Sequence, residues 1–287
     1  MPAQPDHRRS PSIRRRRLSR ELRSLRTASG HTAEEVCRTL EWSQGKMSRI
    51  EQGDWLRPNP RDVRDLLDFY DVQDVPKRES LISLARESRQ RGWWETTEFA
   101  GLFNSSLAGF EAEAKSIHTY QPLVVPGLLQ TPAYTRDLFR RSMLRDPSEV
   151  GRRVEFRMNR QKLLQHHDPP TLWAVIDESV LRRPFGTVAD RAEQIQRLLA
   201  TGDSDHTTVQ VIPFEAGLHP GLNYAFTLMD YELDPSVVYI ELGTNALYLE
   251  KPKDLESHSL KFQHLLGAAL DKDATLQWLS DLHRELR

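Results

Sequence analysis

Residues 43–52, SQGKMSRIEQ, combine the side-chain types and the spacing needed to bind the edges of DNA bases. Met47 and Ile50 are three residues apart, so they share one face of a helix and can attach that helix to a core. The opposite face carries Gln44, Gly45, Ser48, Arg49 and Gln52, with Lys46 on its flank. Glutamine binds adenine through two hydrogen bonds, and arginine binds guanine in the same way. The pattern therefore indicates a candidate base-reading helix.

The alternative for this stretch is an ordinary solvent-exposed helix face, and the residues before it favour the first interpretation. Thr32 and Glu35 have the spacing of a capping box, and Ser43 is an N-cap for the next helix. Only Glu41 and Trp42 join the two helices, so the helices must cross sharply. We therefore predict a helix-turn-helix whose second helix enters the major groove, and we include the caps Thr32 and Ser43 among the candidate DNA contacts.

Helical patterns lie on both sides of this pair. A leucine stripe within residues 16–29 predicts a helix that ends at Gly30. The prolines of residues 58–60 break the chain, and two further helices are predicted after them, the last over residues 76–91. Five short helices predict an all-α N-terminal helix-turn-helix domain over residues 16–92.

The segment RELRSLRTASGHTAEEVCRTLEWSQGKMSRIEQG, residues 20–53, resembles the helix-turn-helix of the XRE/Cro-like family of phage and bacterial repressors. The resemblance implies a five-helix domain that binds double-stranded DNA at a near-palindromic operator as a homodimer, with its third helix as the reader. It places Gln44 at the first base-contact position of that helix, and Gly45 and Arg49 at the other base-facing positions.

The same resemblance assigns roles outside the reading helix. It implies a buried ion pair between Arg26 and Glu51, and phosphate contacts by the segment that holds Trp55 and Arg57. The sequence also departs from the family pattern at two positions. Ala33 replaces a phosphate-binding glutamine, and Glu41 replaces a glycine of the turn, where a positive φ is uncomfortable for a residue with a side chain.

The N-terminus is rich in proline and arginine and has no apolar periodicity, so we predict a disordered basic arm over residues 1–15. Its arginines, continued into the first helix, are expected to contact phosphates or an adjacent minor groove. These arginines are Arg14, Arg15, Arg16 and Arg17. The alternative is a tail that only increases solubility.

The distribution of charge agrees with a DNA-binding front end. Residues 1–92 contain 20 basic and 14 acidic side chains, whereas residues 93–287 contain 20 basic and 27 acidic ones. Only the N-terminal part is therefore expected to meet a polyanion. No apolar run approaches the roughly 20 residues of a membrane helix, and no apolar segment follows the N-terminal arginines as in a secretory signal. We expect a cytoplasmic protein associated with the nucleoid, in which Cys37, the single cysteine, forms no intrachain disulfide.

The remainder of the chain, residues 93–287, has the mixed pattern of an α+β domain. A helix is predicted over residues 104–120, and a second helix is predicted to start at Thr131 and Pro132. Further helices are predicted near residues 149–164, 188–200, 254–270 and 274–286. Strands are predicted over residues 171–177, 208–213, 225–231, 237–242 and 247–250. We expect Trp93 and Trp94 to pack the linker onto this domain.

Several segments of the C-terminal part resemble one family of actinobacterial regulators. They are RGWWE (91–95), IHTYQPLVVPGLLQT (117–131), LWAVIDESVLRRP (172–184), VQVIPFEAGLHPGL (209–222) and YLEKP (248–252). The resemblance implies an antitoxin-like or developmental regulator, often encoded beside a small partner protein. Three interpretations stay open for this domain: control of a DNA-binding repressor, binding and neutralisation of a small partner protein, or sensing of a small ligand.

No catalytic or metal-binding pattern stands out. The sequence has no HExxH motif, Walker-type glycine loop or GxGxxG motif, and His166-His167-Asp168 lacks the spacing of a known ligand set. Asp177 and Glu178, near Arg182, fit a surface ion-pair cluster better than a pair of catalytic carboxylates. We therefore expect neither an enzyme nor a cofactor.

Dimerisation is expected to involve the C-terminal domain, because one helix near its end has more apolar residues than a single packing stripe needs. These residues are Phe262, Leu265, Leu266 and Ala269. The alternative is that the helix packs entirely on its own sheet.

Overall fold

The structure is a computed structural model and describes residues 11–286 except residues 56, 90–91, 97, 100–101, 103–104, 143–145 and 244. The side chains of residues 11, 12, 105 and 106 are also outside the description. The chain forms two compact units, one made of residues 1–100 and 105–113, the other of residues 101–104 and 114–287. The following paragraphs describe each unit by itself.

The first unit is entirely helical where the structure describes it. Its helices are α1 (Pro11–Ala28), α2 (Ala33–Thr39), α3 (Gln44–Gln52), α4 (Pro60–Phe69), α5 (Val75–Glu87) and α6 (Ser105–Glu113). The core contains Leu18 and Leu22 of α1, Val36 of α2, Met47 and Ile50 of α3, and Leu66 of α4. The helix-turn-helix predicted from the apolar spacing is therefore present, and the all-α fold class of this part is confirmed.

Local chemistry sets the ends of the two central helices. Thr32 and Glu35 form both hydrogen bonds of the capping box at the start of α2, and Ser43 caps α3. Gly53 ends α3 with a φ of 80°, a left-handed conformation that glycine adopts at little cost. Glu41 in the turn has a φ of 55°, so the turn does force a side chain into the left-handed region.

The start of α1 contradicts part of the predicted arm. Helix α1 begins at Pro11, so residues 11–15 are helical rather than disordered. Ile13 is 3% exposed and is part of the packed interior, which explains why the helix extends beyond the leucine stripe. Residues 1–10 of the arm lie outside the described residues, as do residues 90 and 91 of the predicted fifth helix and residue 104 of the predicted sixth.

The predicted helix over residues 104–120 is wrong in its second half. Helix α6 ends at Glu113, and residues 116–121 form a strand. Tertiary pairing outweighs the helical spacing, because this strand is flanked by partners on both sides and both of its faces contain buried residues. Helix α6 packs within the first unit, as do Trp93 and Trp94, whereas the sequence placed the domain boundary after residue 92.

The second unit is built on one mixed six-stranded sheet. Its strands are β1 (Ser116–Gln121), β2 (Thr171–Asp177), β3 (Thr207–Ile212), β4 (Phe226–Asp230), β5 (Val237–Glu241) and β6 (Ala246–Leu249). The spatial order is β3-β2-β1-β4-β5-β6. Strands β1, β2 and β3 are parallel to one another, and the pairs from β1 through β4 and β5 to β6 are antiparallel. The predicted α+β class of this part is confirmed.

In the described part of this unit, six α-helices accompany the sheet. They are α7 (Pro132–Arg141), α8 (Pro147–Gln161), α9 (Glu178–Arg182), α10 (Val188–Gly202), α11 (Pro252–Ala268) and α12 (Lys272–Glu285). Helix α11 covers one sheet face with Phe262 and Leu265, against which Leu266 and Ala269 also pack. Phe262 and Leu265 thus lie in the core of their own unit, and Leu266 and Ala269 are partly buried against it. Packing within one copy therefore accounts for these four residues, and a dimer through this domain stays a prediction.

Candidate nucleic-acid interface

Helix α3 presents a polar face to solvent on a firmly packed base. Met47 and Ile50 are each 1% exposed, so the helix is anchored along one side. The other side exposes the residues predicted from the sequence to face DNA bases. They are Gln44, Gly45, Ser48, Arg49 and Gln52. An anchored helix with such a face has the form that fits the major groove.

Gly45 and Arg49 lie one turn apart on this face, and the side chain of Arg49 lies next to Gly45. A Cβ atom built on Gly45 would lie 3.5 Å from Nη1 of Arg49, so the guanidinium lies above the glycine backbone. Among the described residues, none forms a hydrogen bond or an ion pair with the side chain of Arg49. The guanidinium therefore keeps all its donors for a ligand, and Gly45 leaves space for it to move.

Lys46 is held within the domain. Its Nζ atom lies 2.9 Å from Oδ1 of Asp62 and 3.5 Å from the centre of the Trp42 ring. The ammonium group is thus neutralised by a carboxylate and packed on an aromatic face. The predicted DNA contact by Lys46 would require this arrangement to break, so we do not count it among the residues ready to bind.

The capping residues Thr32 and Ser43 use their hydroxyl oxygens as acceptors. Ser43 accepts the backbone N–H of Lys46 at 3.2 Å, and Thr32 accepts that of Glu35 at 3.2 Å. Glu35 in turn accepts the backbone N–H of Thr32 at 2.8 Å, and this bond lowers the pKa of Glu35. Both hydroxyl groups keep their protons for donation to a phosphate oxygen.

The structure brings Arg26 and Glu51 together, as the resemblance implied. Arg26 also donates from Nη1 to the carbonyl oxygen of His31 at 2.8 Å, which ties the end of α1 to the start of the next segment. Hydrogen bonding to Glu51 raises the pKa of Arg26, and burial raises the pKa of the nearby Tyr70 hydroxyl. The pKa of Arg26 rises because Glu51 stabilises its charged form, and the pKa of Tyr70 rises because its ionised form would be poorly solvated.

Three of the four arginines predicted to bind phosphates, Arg14, Arg15 and Arg16, contact groups of their own unit. Arg14 lies 3.1 Å from Glu87 and 3.5 Å from Glu113, and Arg15, which is 8% exposed, lies 3.1 Å from Glu95. These two side chains hold helices together and are not exposed for phosphate binding. Arg16 lies over the ring of Phe110 at 5.1 Å, and Arg17 is half-buried.

The segment after α3 contains two predicted contact residues, of which Trp55 is buried and Arg57 is exposed. Trp55 is 9% exposed, and its Nε1 donates to Oγ of Ser19 at 3.1 Å, so it pins the segment to α1. Arg57 is exposed two residues later. Only Arg57 therefore remains suited to a phosphate contact.

In the second unit, three of the quoted sequence segments meet at the carboxyl ends of the parallel strands. His219 Nε2 lies 3.5 Å from Asp177 Oδ2, and the His219 ring stands edge-on to that of Tyr120. Glu178, 4% exposed, accepts hydrogen bonds from Arg182 at 2.5 Å and from the backbone of Phe214 at 2.9 Å. Glu178 thus forms an ion pair with Arg182, and Asp177 lies beside His219, but both carboxylates are buried rather than on the surface.

The rest of the segment that contains Tyr120, residues 122–131, is largely buried and forms no strand. Buried amide side chains bind the backbone of this stretch. Gln194 accepts from the N–H of Thr131 at 2.8 Å and donates to the carbonyl of Leu129 at 2.9 Å. Gln161 donates to the carbonyl oxygen of Gln130 at 2.7 Å. The glutamines replace the hydrogen bonds that a strand or helix would supply.

The described residues contain no group of three or more His, Cys, Asp or Glu side chains placed to hold a metal ion. The exposed rings of His166 and His167 face each other, with their Nδ1 atoms 3.0 Å apart. Likewise, none of the helices in the described part of the chain is both long and apolar enough to cross a bilayer.

Two family models match this chain. A helix-turn-helix domain matches residues 17–81, which contain most of α1, all of α2 to α4 and the first half of α5. This match supports a DNA-binding regulator over an enzyme. A domain of unknown function, DUF5753, matches residues 105–281. No curated protein and no solved structure shows significant similarity to the chain. With more than half of its length matched, the chain belongs to the DUF5753 family and has a helix-turn-helix domain before that region.

Proposed function

We propose that this protein is a sequence-specific transcription regulator of the XRE/Cro type that reads double-stranded DNA with α3. One observation carries the proposal: α3 is anchored by Met47 and Ile50 while its opposite face exposes Gln44 and Arg49. These two side chains are suited to bidentate hydrogen bonds with adenine and guanine. Gly45 separates them without adding bulk, and Ser48 completes the face.

We further propose that two copies bind a near-palindromic operator and repress transcription by occupying it. One recognition helix contacts only a few base pairs, so useful affinity in a genome requires a second copy about 34–36 Å along the duplex. The resemblance of residues 20–53 to repressors supports this arrangement. The C-terminal unit then has the regulatory role, and the protein is expected at the nucleoid.

Selection of binding sites from a random pool of duplexes, with the purified full-length chain, tests this proposal. The expected result is an enriched motif with two related half-sites whose centres are about 10 base pairs apart. Sedimentation of the chain on that duplex should then give two copies per site. Failure to enrich any sequence would overturn sequence-specific reading, and one copy per site would overturn the dimer alone.

The other two sequence-based interpretations of the C-terminal unit are not part of this proposal. In the described part of that unit, Gln194 binds the backbone of one of the segments that resemble the regulator family, and His219 of another segment lies beside the buried carboxylate of Asp177. Those contacts point to neither a small partner protein nor a small ligand.

A further inference from the structure

Helices α1, α2 and α3 border a groove of about 430 Å³ beside the reading face. Its rim is formed by Arg23 of α1, by Ala33 and Glu34 of α2, and by Gln44, Ser48 and Gln52 of α3. The three α3 residues also belong to the exposed face that is proposed to contact bases. The groove is therefore continuous with the DNA-reading surface.

Arg23 is oriented toward this groove by its place on α1. It precedes Arg26 by three residues, so the two side chains lie on the same helix face. Arg26 reaches α3 and binds Glu51, and Arg23 lines the groove one turn earlier. Arg23 is exposed, and no hydrogen bond or ion pair joins its side chain to another described residue.

The charged side chains that line the groove differ in whether another residue of the protein already binds them. Among the described lining residues, Arg23 is the one basic side chain, and the acids are Glu34 and Glu51. The carboxylate of Glu51 is already bound by Arg26. Glu34 is exposed in the first turn of α2 and is the acid that an approaching anion would meet.

We propose that this groove binds one phosphate group of the DNA strand that runs beside α3, with Arg23 as its cation. The inference rests on the proposed DNA-binding function. A strand whose bases are reached by Gln44 and Ser48 must place its backbone along the same rim, where phosphate contacts fix register without reading sequence. Glu34 opposes the phosphate and limits affinity. Ala33 has no polar side-chain atom, so Arg23 supplies the contact on this side.

The test measures binding of the full-length chain by fluorescence anisotropy on the selected duplex and on a scrambled duplex, from 50 to 300 mM salt. Arg23→Ala should weaken binding to both duplexes by the same factor, roughly five- to tenfold at 0.1 M salt, which is the counterion-release contribution of one phosphate. The slope of log K against log salt should become shallower by about 0.9. Glu34→Gln should strengthen binding to both duplexes.

Arg86→Ala is the matched control, because Arg86 is an exposed arginine of α5 outside the groove. It should leave affinity and slope unchanged. Wild-type affinity and slope in Arg23→Ala, with a wild-type chain that binds DNA, would overturn the phosphate site and leave the proposed function intact. A loss confined to the selected duplex would also overturn it, since Arg23 would then read a base. Absence of DNA binding by the wild-type chain would overturn both.

Discussion

Arg26 on α1 and Glu51 on α3 are joined by two hydrogen bonds, from Nε to Oε1 at 2.5 Å and from Nη2 to Oε2 at 3.1 Å. Their side chains are only 16% and 13% exposed, so the pair is shielded from solvent. Glu51 follows Ile50, which is buried, and lies on the flank of α3 away from Arg49. The pair therefore sets the position of the reading helix without taking part in reading.

Glu51→Ala should be strongly destabilising because it leaves the Arg26 guanidinium in the interior without its partner. We expect a loss of about 3 kcal/mol in the free energy of unfolding, measured by urea denaturation of the full-length chain. The matched control is Glu21→Ala, which removes an exposed pair with Lys77 at 3.8 Å and should cost less than about 1 kcal/mol. Equal losses in the two variants would show that the Arg26–Glu51 pair contributes no more than a surface pair.

The parts of the fold that depend on local chemistry could be predicted from the sequence. Thr32, Ser43 and Gly53 mark helix ends through hydrogen bonds and backbone conformations that involve neighbours along the chain. The strand over residues 171–177 is also predicted with its observed bounds, since its apolar run follows directly after Pro169 and Pro170. Such features need no knowledge of distant residues.

The features that the sequence did not reveal depend on distant partners. Strand β1 was missed because its apolar spacing also fits a helix, and its pairing with β2 and β4 decides its conformation. Arg15 was expected on a free arm, but Glu95, eighty residues away, holds it. Lys46 was expected at the DNA, but Asp62 binds it. Arg23 was overlooked because only the packing of α1 against α3 places it beside the reading face.

Arg49→Ala should weaken binding to the selected duplex by about 1–3 kcal/mol and relax the preference at one base position. The physical reason is the loss of a bidentate donor that has no competing partner among the residues that the structure describes. The measurement is anisotropy on the selected duplex and on the duplexes that carry each base at the affected position. Arg86→Ala should bind all of them as the wild type does, and an Arg49→Ala chain with unchanged preference would remove Arg49 from the reading set.

Gly221→Ala should destabilise the C-terminal unit because the added methyl group has no space. A Cβ atom there would lie 2.4 Å from Cε1 of Tyr120 and 2.8 Å from Cδ2 of Leu265, both of which are buried. We expect a loss of about 1–3 kcal/mol in the free energy of unfolding of that unit. Gly151→Ala in α8 is the control, since nothing lies within 4 Å of its Cβ position, and it should stabilise the helix by about 0.5–1 kcal/mol. A neutral Gly221→Ala would mean that the loop yields without cost.

His118 should make the stability of the C-terminal unit depend on pH. Its ring stacks on Phe262 with centroids 5.2 Å apart, and its Nδ1 atom lies 4.0 Å from Asp230. Burial lowers the pKa of His118 below its ordinary value of 6.5, and Asp230 opposes this shift only in part.

A lowered pKa means that the folded state favours the neutral imidazole of His118, so the unfolded chain binds more protons as the pH falls through about 6.5. The stability contributed by neutral His118 is therefore present above that pH and is lost on acidification. His118→Phe keeps an aromatic ring against Phe262 but cannot titrate. Urea denaturation of both chains at pH 7.5 and pH 5.5 should show a smaller acid-induced loss in the variant, because His118 is the one residue in which the two proteins differ. An equal loss would mean that protonation of His118 costs the folded state nothing, and a larger loss in the variant would mean that Asp230 stabilises the charged ring.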